Sequence, residues 1–120
     1  MFRLRMTTIV LLGLLVGSAA AQGNVNTGNE FLQVCAENDK IGAGSAHTGN
    51  EYQGGFCLGY IAGFAVADQA TCYPNGATNM QGVLVVEKFL RDHPDRLQED
   101  RSTLVRAALR QAWPCSEKSK

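Results

Sequence analysis

The chain has 120 residues, with 11 basic and 11 acidic side chains and therefore no formal net charge. That balance excludes a strongly basic surface of the kind that holds nucleic acid or an anionic membrane through charge. The length makes one small domain, the size class in which cross-links supply a large share of stability.

Residues 1–21 read as an export signal. Arg3 and Arg5 form a basic start, Ile9 to Val16 is an apolar run broken only by Gly13, and Ala19, Ala20 and Ala21 are small residues ahead of Gln22. The run is shorter than the about 20 apolar residues a membrane-spanning helix needs, and the polar, glycine-rich stretch after it supplies no continuation. Cleavage near Ala21 leaves 99 residues; it removes two of the eleven basic side chains and no acidic one, so the product carries a net charge of −2. Four cysteines in a short exported chain favour two disulfides over free thiols.

Thr27 and Glu30 have the spacing of a capping box and predict a first helix, with Phe31, Leu32, Val34 and Cys35 on one stripe and an end near Asn38 and Asp39. An eleven-residue connection, Asp39 to Gly49, follows, rich in glycine. Thr48 and Glu51 repeat the capping spacing and open a second helix over about 50–71. Its apolar face is Tyr52, Phe56, Cys57, Tyr60, Ile61, Phe64 and Ala65. Gly55, Gly59, Gly63 and Ala67 recur every four residues on another stripe. Glycine inside a helix costs about 1 kcal/mol against alanine, so the stripe predicts that another helix backbone packs closely there.

Pro74, Asn75 and Gly76 signal a turn after Cys72. Thr78 and Gln81 make a further capping pair, and Val83, Leu84, Val86, Phe89 and Leu90 form the buried stripe of a third helix that His93 and Pro94 stop. A last helix is expected from about Asp100 to Ala112. Leu97 packs ahead of it, Leu104, Val105, Ala108, Leu109 and Trp113 share one face, and Arg101, Arg106 and Arg110 lie mostly on the other. Pro114 ends it, just before Cys115. The expected fold is all-α, a single-domain bundle of four main helices.

Four cysteines allow three pairings. On one continuous helix Cys57 and Cys72 would stand roughly 22 Å apart, too far for a bond that needs Cα atoms within about 7 Å. Of the two pairings left, Cys35 with Cys57 and Cys72 with Cys115 is preferred. The first staples neighbouring antiparallel helices and the second ties the last helix to the middle turn.

The chemistry of catalysis is poorly represented. There is no Cys-x-x-Cys and no His-x-x-x-His, and His47 and His93 are 46 residues apart in expected loops. Asp92, Asp95, Glu99 and Asp100 cluster among arginines and read as a solvated, capping connection. Asp68 sits late in an apolar helix, with Arg106 or Arg110 as its candidate partner or solvent as the alternative. Tyr60 and Trp113 read as core aromatics. No catalytic residue, metal or cofactor is expected.

Several ordered elements carry a family resemblance. Residues 28–32 precede Cys35; Cys57 to Gly63 follow as CLGYIAG; Cys72 comes with Pro74; Phe89 and Leu90 precede His93 and Pro94; and 107–109 lead to Trp113, Pro114 and Cys115. Together they resemble the Rap/Tai family of type VI secretion immunity proteins. The resemblance implies an exported, mostly helical periplasmic protein, not an enzyme, that binds and blocks a cognate peptidoglycan amidase, with some members acting as homodimers. A plug entering an amidase cleft should be exposed and tied at its base. The Asp39 to Gly49 connection fits, with Lys40, Ser45 and His47 as candidate partner contacts. The Arg91 to Asp100 connection competes, with Arg91, Asp95 and Arg96. A small acid-stress chaperone and a cell-envelope accessory protein are the alternatives.

Overall fold

A computed structural model describes residues 25–42 and 49–116. The expected export signal, Ser45, His47 and the expected Thr48 cap lie outside these residues. Within them the chain forms α1 (Gly28–Gly42), α2 (Glu51–Ala67), α3 (Asn79–Asp92), a single 3-10 turn (Pro94–Arg96) and α4 (Arg101–Ala112), the all-α order the periodicities predict.

Each helix begins where a short polar side chain satisfies orphan amides. Thr27 and Glu30 close the reciprocal box on α1, with the Thr27 amide donating to Glu30 Oε2 at 3.0 Å and the Glu30 amide to Thr27 Oγ1 at 3.4 Å. A second amide, from Asn26, donates to the same carboxylate, and these bonds hold Glu30 below the usual carboxylate range. Thr78 and Gln81 do the same for α3. Asn50 caps α2 by accepting from the Gln53 amide, and Asp100 caps α4 by accepting from Ser102.

Two expectations about helix extent are corrected. The first helix does not dissolve at Asn38 and Asp39 but runs to Gly42. Its polar residues serve as cross-links: Asn38 Nδ2 donates to the Gly54 carbonyl at 3.1 Å, and Glu37 accepts from Lys40 Nζ at 2.7 Å and from the Asn50 amide at 2.8 Å. The second helix stops at Ala67 rather than near 71, because Asp68 turns extended and directs its carboxylate to the Thr71 hydroxyl and to Arg110. Cys57 and Cys72 are therefore not on one helix, although the pairing inferred from that premise is the one present. Cys35 joins Cys57 and Cys72 joins Cys115, with Cα separations of 5.1 and 4.9 Å.

The core is built from all four helices: Phe31, Val34 and Cys35 of α1; Cys57 and Ile61 of α2; Val83, Val86, Phe89 and Leu90 of α3; Leu104, Val105, Ala108 and Leu109 of α4. Two residues assigned to apolar faces lie outside it, Tyr52 at 81 % and Leu84 at 52 % exposed. Leu84 sits one position off the stripe that Val83, Val86 and Leu90 follow, so the pitch of α3 turns it outward.

The glycine stripe on α2 is the largest departure. A Cβ built at Gly55, Gly59 or Gly63 would meet nothing within 4 Å, so no helix backbone among the described residues packs against that face. The close approaches fall at other glycines. At Gly28 a Cβ would meet Leu104 Cδ1 at 2.4 Å and the Leu97 carbonyl at 3.1 Å, where the start of α1 presses on the chain leading into α4. At Gly82 it would meet the Tyr73 hydroxyl at 2.2 Å.

Candidate functional site

The two connections expected to reach a partner differ in how they are held. The α1–α2 connection is anchored at its base by the fully buried Cys35–Cys57 disulfide and by the Asn38 and Glu37 bonds to α2. Extension of α1 to Gly42 shortens it to residues 43–50, of which 43–48 lie outside the described residues. Lys40 stands in the last turn of α1 and pairs with Glu37.

The α3–α4 connection is not a free loop. The His93 ring donates through Nδ1 to the Phe89 carbonyl at 2.7 Å and stacks on the Phe89 ring at 4.1 Å. Arg96 lies over the same ring and makes two bonds to Glu99, 2.7 and 2.9 Å, which hold the Glu99 carboxyl low. Amides of Gly28 and Asn29 donate to the carbonyls of Glu99 and Leu97, and Arg101 donates to Asn26, so the segment ends as a short ladder against the start of α1. Of its candidate contacts, Arg96 is committed to Glu99 while Asp95 stays exposed.

Arg91 brings the two regions together. Its guanidinium reaches Asp39 of α1 at 3.4 Å and Glu87 of its own helix at 3.6 Å. Lys40, Arg91 and the base of the 43–48 segment thus share one end of the molecule, whereas Asp95 and Arg96 belong to the ladder beside the start of α1. Beneath Arg91, Glu87 is 1 % exposed and neither carboxylate oxygen has a hydrogen-bond donor among the described residues. Burial, reinforced by the Asp39 charge and opposed by Arg91, pushes its carboxyl up. Glu87 had no signal in the sequence reading, because a glutamate between apolar helix positions looks like the solvated side of the helix.

Helices α2 and α4 carry a feature the sequence did not single out. Phe56, Tyr60 and Phe64 form a ladder along α2, with successive ring centres 5.9 and 5.1 Å apart. Arginines of α4 lie over it: Arg101 over Tyr60 at 4.6 Å and Arg106 over Phe64 at 5.7 Å. Arg110 continues the series by gripping Asp68. Arg106 and Arg110, expected on the helix face away from the core and as candidate partners of Asp68, thus line a groove of about 570 Å³ between α2 and α4. The i, i+4 spacing of the aromatics on α2 and the 106/110 spacing on α4 were the available signals. Tyr60 both contacts core Phe31, at 5.2 Å between ring centres, and borders this groove.

Among the described residues no group of three or more His, Cys, Asp or Glu is placed to hold a metal ion, and no helix is long and apolar enough to cross a membrane. No curated protein and no solved structure matches the chain at a significant level. A family model for Rap1a immunity proteins matches residues 27–115, a span that opens on the Thr27 cap, includes all four helices and closes on Cys115. With both disulfides and the whole helical domain inside that match, the chain belongs to the Rap1a immunity protein family.

Proposed function

We propose that the protein is exported to the periplasm and there binds and inhibits a peptidoglycan amidase toxin delivered by type VI secretion. Family membership supports the coarser statement that it is an immunity protein against a secreted toxin, and the family match over the entire helical domain is the observation that carries the reading. The amidase, the export route and the homodimer implied for some relatives are proposals that rest on the resemblance of the cysteine-bearing elements. Two disulfides and an apolar, alanine-ended leader support an oxidising compartment. The tethered α1–α2 connection, with Ser45 and His47 in it and Lys40 in the helix turn just before it, supports a cleft-entering element, with Arg91 beside its base.

The acid-chaperone alternative is disfavoured by the carboxylates. Glu30, Glu37, Asp68, Glu99 and Asp100 are all held low by hydrogen bonds, so they keep their charge in mild acid rather than releasing structure there. Among the described carboxylates, Glu87 shifts the other way.

The test is direct inhibition. The disulfide-bonded protein should stop release of soluble fragments from purified peptidoglycan by the amidase encoded beside it. Undiminished activity of every amidase of the same genome in its presence would sink the reading.

A further inference from the structure

The groove between α2 and α4 has a lopsided chemistry, and none of its lining residues belongs to the α1–α2 or α3–α4 connection. On α2 it is bordered by Gly59 and Gly63, where a side chain would meet open space. Each glycine costs a helix about 1 kcal/mol against alanine, and nothing within the described residues approaches to return that cost. Beside them stand the rings of Tyr60 and Phe64, only partly covered. At one end Asp68 is saturated: Arg110 takes both carboxylate oxygens and the Thr71 hydroxyl donates to one of them at 2.8 Å. Arg110 and Asp68 thus neutralise each other.

Arg106 is different. It is exposed, it stacks on Phe64, and among the described residues it has neither an ion pair nor a hydrogen bond. The groove therefore offers one uncompensated guanidinium above an aromatic wall, with bare helix backbone alongside. A guanidinium seated on a ring keeps its planar fork free for a carboxylate, which it binds through two parallel bonds. The rings supply a surface for apolar side chains flanking that carboxylate, and the missing Cβ atoms let a second backbone come close. A volume of about 570 Å³ suits two or three side chains, within the range of peptide and ligand sites. A cationic segment is repelled by Arg106, and an acidic group at the other end meets the filled Asp68, so the charge pattern also orients the occupant.

We infer that this groove seats an acidic segment of a partner protein, its carboxylate on Arg106 and its flanking apolar side chains against Tyr60 and Phe64. Taking that partner to be the toxin rests on the immunity reading; the chemistry of the groove does not. The groove then makes a contact separate from any cleft-entering connection, the arrangement in which one element blocks and another grips.

Two measurements separate the claims. The ¹⁵N-labelled, disulfide-bonded protein is titrated with acetyl-Leu-Glu-Leu-amide and, in parallel, with acetyl-Leu-Gln-Leu-amide. The glutamate peptide should move the Gly59 and Gly63 amide resonances and the Arg106 Nε resonance, with affinity about tenfold above the glutamine peptide, the difference one charge-assisted bond makes. Arg106→Gln should bring the two peptides within about twofold, and Gly63→Leu, which fills open space on a helix and so keeps the fold, should abolish the response. Shifts located elsewhere, equal response to both peptides, or concentration-dependent shifts of the same resonances without peptide, meaning a second copy occupies the groove, would each overturn the inference. Against an amidase that the unaltered protein inhibits, Gly63→Leu and Arg106→Glu should weaken inhibition at least tenfold while thermal stability holds or rises; undiminished inhibition would remove the toxin from this groove. An unaltered protein that inhibits no amidase overturns the immunity mechanism instead, and the peptide titration still decides the groove.

Discussion

Arg110 on α4 grips both carboxylate oxygens of Asp68 at the end of α2, Nη2 to Oδ1 at 2.6 Å and Nε to Oδ2 at 2.9 Å. The pair spans 42 residues of sequence and fixes the point where α2 gives way to the Thr71–Cys72 segment, which itself pairs with Trp113 and Pro114. The Asp68 side chain is only 9 % exposed, and the Arg110 contact, then burial working against it, then the Thr71 hydroxyl, set its carboxyl far below the ordinary range. Removing the carboxylate in Asp68→Ala should cost about 1 kcal/mol, a figure discounted because the arginine is half exposed. A depressed folded-state value means the carboxylate stabilises above its unfolded value near 4 and ceases to as pH falls below it. Urea midpoints of the two proteins should therefore differ at pH 7 and converge in strong acid.

Glu87 has the opposite sign. Its carboxyl is raised, so the folded state holds the proton more tightly than the unfolded chain, and its contribution to stability declines as pH rises from about 4 through the folded-state value. Glu87→Met fills similar volume without a charge to desolvate. It should raise stability by about 1 to 3 kcal/mol at pH 7, and the gain should shrink toward pH 4. A loss of stability at pH 7 would show that the Arg91 contact at 3.6 Å outweighs desolvation.

The glycines divide into two classes with opposite outcomes. Gly63→Ala places a methyl in open space on a helix and should stabilise by about 1 kcal/mol. Gly82→Ala drives a methyl into the Tyr73 hydroxyl, on a ring already packed 4.3 Å from Trp113, and should destabilise by about 1 to 3 kcal/mol. Because that hydroxyl is buried without a partner among the described residues, Tyr73→Phe should be neutral or stabilising and should soften the Gly82→Ala defect in the double variant. Thermal unfolding of the four proteins checks the set.

The disulfides should yield to reductant in order. Cys35 and Cys57 are fully buried, while Cys72 and Cys115 are half-buried near the end of the domain. Timed reduction with alkylation and peptide mass analysis should find Cys72 and Cys115 modified first. In the chain-entropy account, losing that bond costs about 4 kcal/mol and losing the inner one about 3, so the doubly reduced chain should be largely unfolded.

The helices were legible because caps and stripes are local: Thr27 with Glu30, Thr78 with Gln81, and His93 before Pro94 each act within one or two turns. The disulfide pairing came out as expected although the helix that was to separate Cys57 from Cys72 ends at Ala67, because stapling neighbouring helices and tying the last helix to the middle turn favours the same pairs. What escaped the sequence was decided by distant neighbours. The spacing of Gly55, Gly59 and Gly63 is the same whether a helix packs on it or not, and only the course of α4 leaves that face open. The close-approach role fell to Gly28, which precedes the periodic run and meets Leu97 and Leu104 some seventy residues on. Glu87 is buried because α1 brings Asp39 alongside α3, a placement no single-helix pattern contains. Of the candidate contacts, Lys40, Arg91 and Arg96 proved to be tied to acidic neighbours, since long cationic side chains find the nearest carboxylate.

The two cross-links close consecutive loops, Cys35 to Cys57 and then Cys72 to Cys115, without nesting or crossing. A chain threaded from its N-terminus into an oxidising space presents its thiols in that same order, so each cysteine meets its own partner as the next thiol to arrive. The inner half can lock before α3 exists, and the last bond forms only when Cys115 appears. On the proposed export route, an oxidant that joins neighbouring thiols as they emerge would therefore give the native linkage directly.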